Sequence, residues 1–320
     1  MATARKLTLC LTGCDEWTGF MTAMSFAKGS ARQYVEKMYC GVMDESTHFA
    51  KMLRDQGMHM VKYSKDQMDQ LGQCFQRCQM VIMPPAYDGY RGDEQCGMRM
   101  FEQWLKLAQK HHVRCVAMLS VIQAEKGQGR HLKMLVEREK MLKSMMSGKD
   151  QGQMHGCIMR VSPVMEHAFL HQHRIQQERT LMMPFGEHEF TPVAMMDVCE
   201  AMACKTSKMM STQQGDDCDA CGGVGGTHHV MTYCCTGKER MTGKRMAEAA
   251  SKALGTQIQH REVSWDEFKR ELQQHGHLQE HELECAREIM DMIKRDMLKE
   301  VTQDLQKLLK REPMTMVQFF

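Results

Sequence analysis

The chain has 320 residues, more than one hydrophobic core usually holds, so one large domain or two unequal ones are expected. Its 42 lysines and arginines nearly balance its 40 aspartates and glutamates, which argues against nucleic acid or an anionic membrane as a partner. Residues 1–6 carry no signal-like apolar region and no run approaches the ~20 apolar residues that span a bilayer, so a soluble, cytoplasmic protein is expected.

The first predicted strand is Leu7-Thr8-Leu9-Cys10-Leu11. It ends at Thr12-Gly13, a polar turn follows through Cys14-Asp15-Glu16-Trp17-Thr18, and Gly19 opens an apolar-periodic helix closed by Gly29. In a βαβ unit such a turn brings backbone N–H groups to a helix N-terminus, where the dipole favours a pyrophosphate. Gly13 and Gly19 are the outer glycines of that pattern, but the middle position carries Glu16, whose carboxylate would repel a dinucleotide.

A β-like run at 33–42 and a helix-start signal at 44–47 come next, then a short third strand around Met58, Met60, Val61 and Tyr63. A helix with Met68, Leu71 and Phe75 leads to the fourth strand, Met80-Val81-Ile82-Met83, which stops at Pro84-Pro85. A helix over 92–112 precedes a fifth strand at 113–119 ending at Ser120, and a helix over 132–146 precedes a polar linker at 148–153 and a sixth strand at 157–161. Strands alternating with helices indicate an α/β fold: a doubly wound, Rossmann-like parallel sheet whose ligand crevice lies beyond the carboxyl ends of the strands.

Residues 1–160 are therefore assigned to a dinucleotide-binding domain, with later strands expected near 186–204 and 228–237 to join it. Residues 161–320 are assigned to a smaller substrate or partner lobe, largely helical from 242. The segment 211–229 is too polar to pack and reads as a loop. The tail at 264–310 reads as helical, with Ile289, Ile293, Val301, Leu305 and Leu308 as an apolar stripe that folds onto the crevice.

Fifteen cysteines without a secretory signal read as mainly reduced thiols, several of them buried. The 36 methionines replace Leu and Ile at core-like positions such as Met80, Met83, Met118 and Met159, through drift or as a sulfur-rich store. Cys218-x-x-Cys221 with His228, His229, Cys234 and Cys235 has ligand types for zinc, but only one C-x-x-C is present and a flexible surface insertion is the better reading, so no metal ligand is assigned.

Several stretches taken in order resemble the NmrA-like branch of atypical short-chain dehydrogenases/reductases: Leu11-Thr12-Gly13 with Gly19, Met80 to Pro85, and Val113 to Ser120. The same holds of Met159-Arg160-Val161-Ser162-Pro163 with Glu166 and His167, of Phe190-Thr191-Pro192-Val193 with Asp197, and of Thr236-Gly237 with Thr242 and Gly255. The ending, Arg311-Glu312-Pro313-Met314-Thr315 with Phe319, is similar too. The resemblance implies a Rossmann domain binding NADP or NAD and a small C-terminal lobe. It also implies either a reductase of quinones or small carbonyls, or a redox-sensing regulator acting through a protein partner.

On that reading the cofactor-binding residues are Thr12, Gly13, Asp15, Trp17, Thr18, Gly19, Met83, Pro84, Pro85 and Ser120. No catalytic residue is assigned: no tyrosine lies between Tyr90 and Tyr233, so the helix after Ser120 lacks the Tyr-x-x-x-Lys proton donor. His131 and Lys133 stand near that donor's place but read as surface residues. The end of the second strand, Met38 to Asp44, offers no arginine to a 2′-phosphate, so loss of the cofactor is the alternative. Arg160, Glu166 and His167 either line a pocket or, for Arg160 and Glu166, form a structural ion pair. The partner is expected to be a small-molecule substrate or a protein, with a homo-oligomer compatible with either. The leading reading is a non-catalytic or weakly catalytic NAD(P)-binding, redox-sensing or regulatory module. An NAD(P)H-dependent reductase is second, and a cofactor-free storage or self-assembling relative third.

Overall fold

The first strand is apolar on both faces, as a strand covered by helices on each side must be. In the computed structural model, which describes residues 6–85, 94–147, 154–211 and 230–320, it lies in the middle of the sheet. In chain order the elements begin β1 (Leu7–Leu11), α1 (Trp17–Lys28), β2 (Val35–Val42), α2 (His48–Asp55), β3 (His59–Lys62), α3 (Asp69–Phe75) and β4 (Met80–Met83). They continue with α4 (Glu94–Lys110), β5 (Cys115–Val121), α5 (Arg130–Met146), β6 (His155–Val161), α6 (Gln172–Glu178), β7 (Thr180–Met183) and α7 (Met195–Ser211). The C-terminal part holds β8 (Val230–Cys235), α8 (Gly243–Leu254), β9 (Gln259–Glu262), α9 (Trp265–Gln274), α10 (Glu280–Lys294), α11 (Asp304–Leu309) and α12 (Met316–Phe319).

Seven parallel strands run in the order β3-β2-β1-β4-β5-β6-β8. The chain builds outward one way from β1 and then returns to add β4 on the other side, which is the switch point of a doubly wound sheet. The register keeps the carboxyl ends level, with Cys10 opposite both Tyr39 and Val81, and Val121 opposite Val161. The methionines read as core residues are core residues: Met80, Met83, Met118 and Met159 are at most 1% exposed. Burial pushes the Cys115 thiol up to about 11 and Cys10 well above its usual value, so these cysteines act as small apolar side chains.

Two expectations are corrected. The stretch 186–204 adds no strand to the sheet. Val193 and Phe190 make only isolated bridges, to Val164 and Met241, and Met195, Val198, Cys199 and Met202 are buried at helical spacing on α7. The strand of that region, β7, pairs instead with β9 in a separate two-stranded sheet. The expected strand near 228–237 does join the main sheet, as β8 beside β6. The tail is three helices rather than one stripe, and Val301 lies exposed between α10 and α11. The linker 148–153 and nearly all of the 211–229 loop, Cys218, Cys221, His228 and His229 included, lie outside the described residues.

The β1–α1 turn depends on a close approach. A Cβ on Gly19 would lie 2.0 Å from the Gly13 carbonyl oxygen. Helix propensity alone favours Gly19→Ala by ~1 kcal/mol, whereas overpacking costs ~1–3 kcal/mol. Because the obstacle is backbone, the expected net result is a loss of about 1–2 kcal/mol in urea denaturation. A raised midpoint would mean that the turn opens freely.

Candidate functional site

The residues of the β1–α1 turn are held by the ends of three neighbouring strands. The Thr12 N–H donates to the Ile82 carbonyl at 3.1 Å and the Cys14 N–H to the Gly41 carbonyl at 2.8 Å. Gly13, at φ 63°, takes the left-handed conformation that suits glycine, and its N–H donates to the Tyr63 hydroxyl oxygen at 3.1 Å. Asp15 Oδ2 accepts from the Asp44 N–H at 3.0 Å, which ties the turn to the end of β2; burial, then Glu16, pushes the Asp15 carboxyl up to about 6.

The N-terminus of α1 needs acceptors for its first N–H groups. Glu16 is its N-cap residue, but the Glu16 side chain makes no cap bond and the first turn has no acidic residue. The acceptor comes from 265 residues away: the Trp17 N–H donates to Glu282 Oε1 at 2.7 Å. The same carboxylate accepts, through Oε2, from the Gln279 N–H at 2.9 Å, completing the capping box of α10. One carboxylate therefore caps two helices. Glu16 Oε1 lies 3.2 Å from His281 Nε2, and Glu16 and Glu282 are both buried. Burial, reinforced by Glu16, raises the Glu282 carboxyl well above the usual range.

A second carboxylate of α10 repeats the device. Glu288 accepts from the N–H groups of His131 (3.2 Å) and Leu132 (3.1 Å) in the first turn of α5, and faces His131 Nδ1 at 2.9 Å. Burial opposes ionisation of Glu288, but these bonds outweigh it and hold its pKa below the usual value. A Cβ on Gly129 would lie 1.9 Å from the Glu288 carboxyl carbon, so the N-cap of α5 is glycine where the carboxylate enters. His131 is thus a buried, paired residue and not the surface residue expected of it.

Beneath α10, beyond the carboxyl ends of the strands, lies an apolar cavity of about 110 Å³. Trp17, Pro85, Ser120 and Val161 line it from the sheet side, Phe185 and Phe190 from the connection after β7, Phe268 from α9, and Ile289 and Ile293 from α10. Three polar atoms among its lining residues are buried without a hydrogen-bond partner: Ser120 Oγ, Trp17 Nε1 and His171 Nδ1. Burial pushes His167 down to about 4. Burial, with help from His167, does the same to His171, so both line the cavity as neutral imidazoles at pH 7. Among the described residues, no tyrosine lines the cavity beside Ser120.

Of the residues read from sequence as cofactor-binding, Trp17, Thr18, Pro85 and Ser120 line the cavity. Thr12, Gly13, Asp15 and Gly19 build the turn, while Met83 is buried at the end of β4 with Pro84 directly after it. Arg160 does form an ion pair, but with buried Glu139 (Nη2 to Oε2 2.7 Å), not with Glu166. Glu166 caps α7 by accepting from the Met195 N–H at 2.8 and 3.0 Å. Sequence reasoning missed Glu282, His281, Glu288 and His171. The Gln279-x-x-Glu282 spacing marks a helix start, but nothing in it points to Trp17.

These residues do not fit a pyrophosphate. Its oxygens would have to displace the Glu282 carboxylate from the Trp17 N–H and sit beside Asp15 and Glu16. Two like charges 4 Å apart near a protein surface cost about 4 kcal/mol. No arginine follows β2 to offset this on the 2′-phosphate side.

No protein-family model matches the chain, and no curated protein matches it by sequence. Solved structures do match its fold. The Citrobacter sp. triphenylmethane reductase complexed with NADP(H) superposes with a TM-score of 0.64 at 17% identity, covering 97% of this chain and 98% of that one. An NADPH-dependent quinone oxidoreductase from Escherichia coli, complexed with NADPH, gives 0.63 at 15% identity over 97% and 98%. A nucleoside-diphosphate-sugar epimerase from Staphylococcus aureus gives 0.63 at 14% over 98% and 99%. The fold is the Rossmann-type fold of these proteins, and no helix among the described residues is long and apolar enough to cross a membrane.

Burial, against the Met195 N–H bonds, pushes the Glu166 carboxyl up to about 7 from an ordinary 4.5. Its protonated form is therefore the stabilising one. That contribution is fully present below about 4.5 and is lost as pH rises through about 7. Glu166→Gln should remove this dependence, so between pH 5 and pH 8 the wild type should lose melting temperature relative to the variant. Parallel Tm curves would contradict the assignment.

Proposed function

We propose that the protein is a non-catalytic binding module of the NmrA-like type, regulatory rather than reducing. Its Rossmann crevice is closed by its own α10 and takes a small, neutral, largely apolar ligand. The observation that carries this reading is the Glu282 carboxylate on the Trp17 N–H, where a dinucleotide's phosphate oxygen would otherwise accept. The cavity left below, partly open to solvent, encloses less space than the ~150 Å³ apolar void that holds benzene. Its unpartnered Ser120 Oγ and Trp17 Nε1 suit a ligand with one carbonyl or hydroxyl on an apolar body.

The second reading is an NAD(P)H-dependent reductase of quinones or small carbonyls. The fold likeness to a triphenylmethane reductase and a quinone oxidoreductase favours it, as does Ser120 at the end of β5. It requires α10 to leave the turn, breaking the bonds of both Glu282 and Glu288. The storage reading gains nothing from the fold, since the methionines at 80, 83, 118 and 159 are packed as core.

Titration of the reduced protein with NADPH and NADH, followed by calorimetry and Trp17 fluorescence, separates these readings. The wild type should show no saturable binding below about millimolar cofactor, while Glu282→Ala and Glu16→Gly should each tighten binding by about tenfold, ~1.4 kcal/mol. Micromolar binding by the wild type, with NADPH oxidised by a quinone, would establish the reductase instead.

A further inference from the structure

Away from the β1–α1 turn, on the outer side of the cavity wall, two histidines and a glutamate converge from helices distant in sequence. Glu271 and His275 stand four residues apart at the end of α9, and so on one face of it; His173 lies in the first turn of α6. One ligand atom from each of the three lies within 4.8 Å of the others. The two imidazoles stack with ring centroids 4.3 Å apart and planes 4° from parallel.

The environment of Glu271 is the second observation. Its side chain is 2% exposed, and Oε2 accepts from Arg174 Nε at 2.9 Å, while the same guanidinium also pairs with Glu178. Oε1 is buried and has no hydrogen-bond donor. A buried carboxylate oxygen left unsatisfied is costly, whereas a cation satisfies it directly. Arg174 fixes the orientation of the carboxylate, as outer-shell partners of metal ligands do.

We propose that His173, Glu271 and His275 bind a single divalent transition-metal ion of the zinc class and so clip α6 to α9. Two imidazole nitrogens and one carboxylate oxygen are a donor set that zinc takes, whereas calcium and magnesium favour oxygen alone. Tetrahedral zinc with bonds of about 2.0–2.1 Å needs its donors about 3.4 Å apart, and imidazole lone pairs lie in the ring plane, so the ligands must draw in and the two rings must turn out of their parallel stack. Both histidines are exposed and free to do so, and the fourth position is open to water.

The clip has a consequence for the cavity. Phe268 and Leu272 line it from α9 on either side of Glu271, and Leu170 and His171 line it from the segment just before His173. An ion at the triad therefore fastens two walls of the cavity from outside. It binds the folded state alone, so it should raise the melting temperature in a concentration-dependent way. The site stands independently of whether the crevice takes a dinucleotide.

The test is Co²⁺ and Zn²⁺ titration of the full-length reduced protein carrying Cys218→Ser and Cys221→Ser, which removes the competing C-x-x-C pair. A single equivalent of Co²⁺ should bind, with the visible bands of a low-coordinate ion and no thiolate charge-transfer band. His173→Ala and His275→Ala, both at exposed positions, should each weaken binding by about tenfold or more. They should also abolish the Zn²⁺-induced rise in Tm, while leaving the metal-free Tm nearly unchanged. Equal uptake by all three proteins, bands of thiolate ligation alone, or binding only at millimolar metal would each overturn the proposal.

Discussion

The arrangement of this protein turns on one carboxylate shared between two helix N-termini. Each helix that starts at the carboxyl edge of a parallel sheet presents unsatisfied N–H groups to the crevice, and something must accept from them. In α1 the acceptor is Glu282, which at the same time closes the capping box of its own helix. Glu288, further along α10, does the same for α5, and Glu166 does it for α7. At the points where the fold leaves room for a bound anion, the crevice is thus occupied by carboxyl groups of the chain itself.

That choice shapes the chemistry of the crevice. Bringing Glu282 beside Glu16 in a buried place raises its affinity for a proton, and the His281 contact with Glu16 compensates only part of the crowding of negative charge. The same burial keeps His167 and His171 neutral, so the cavity below is apolar with a few uncharged polar handles. Met21, Met183, Met195, Met246 and Met290 are among its lining residues, and their unbranched side chains let the walls adapt to ligands of different outline.

The two faces of the cavity wall then belong to one mechanical unit. Inside, α9 presents Phe268 and Leu272; outside, it presents Glu271 and His275 toward His173. Packing on one side and a polar triad on the other both depend on α9 lying against the segment that leads into α6, a contact made by residues about a hundred positions apart.

Most of the sheet was legible in the residues themselves. Runs such as Leu7 to Leu11 and Met80 to Met83 are too apolar for anything but strands covered on both faces. The punctuation of Gly13, Pro84 and Gly255 marks where they and the helices stop. The turn residues Gly13, Asp15 and Gly19, and the odd presence of Glu16 among them, followed from local spacing, because a turn is decided by residues a few positions apart. The stretch 186–204 misled for the same reason: its apolar residues fit either period until packing against α1 and α11 favoured the helical one. What only the tertiary structure decided is everything that bridges long separations. The pairing of Trp17 with Glu282, of α5 with Glu288, of Arg160 with Glu139 rather than Glu166, and of His173 with Glu271 and His275 depends on where helices come to rest. A charged side chain carries no record in its own sequence neighbourhood of the distant N–H group or imidazole that it will meet.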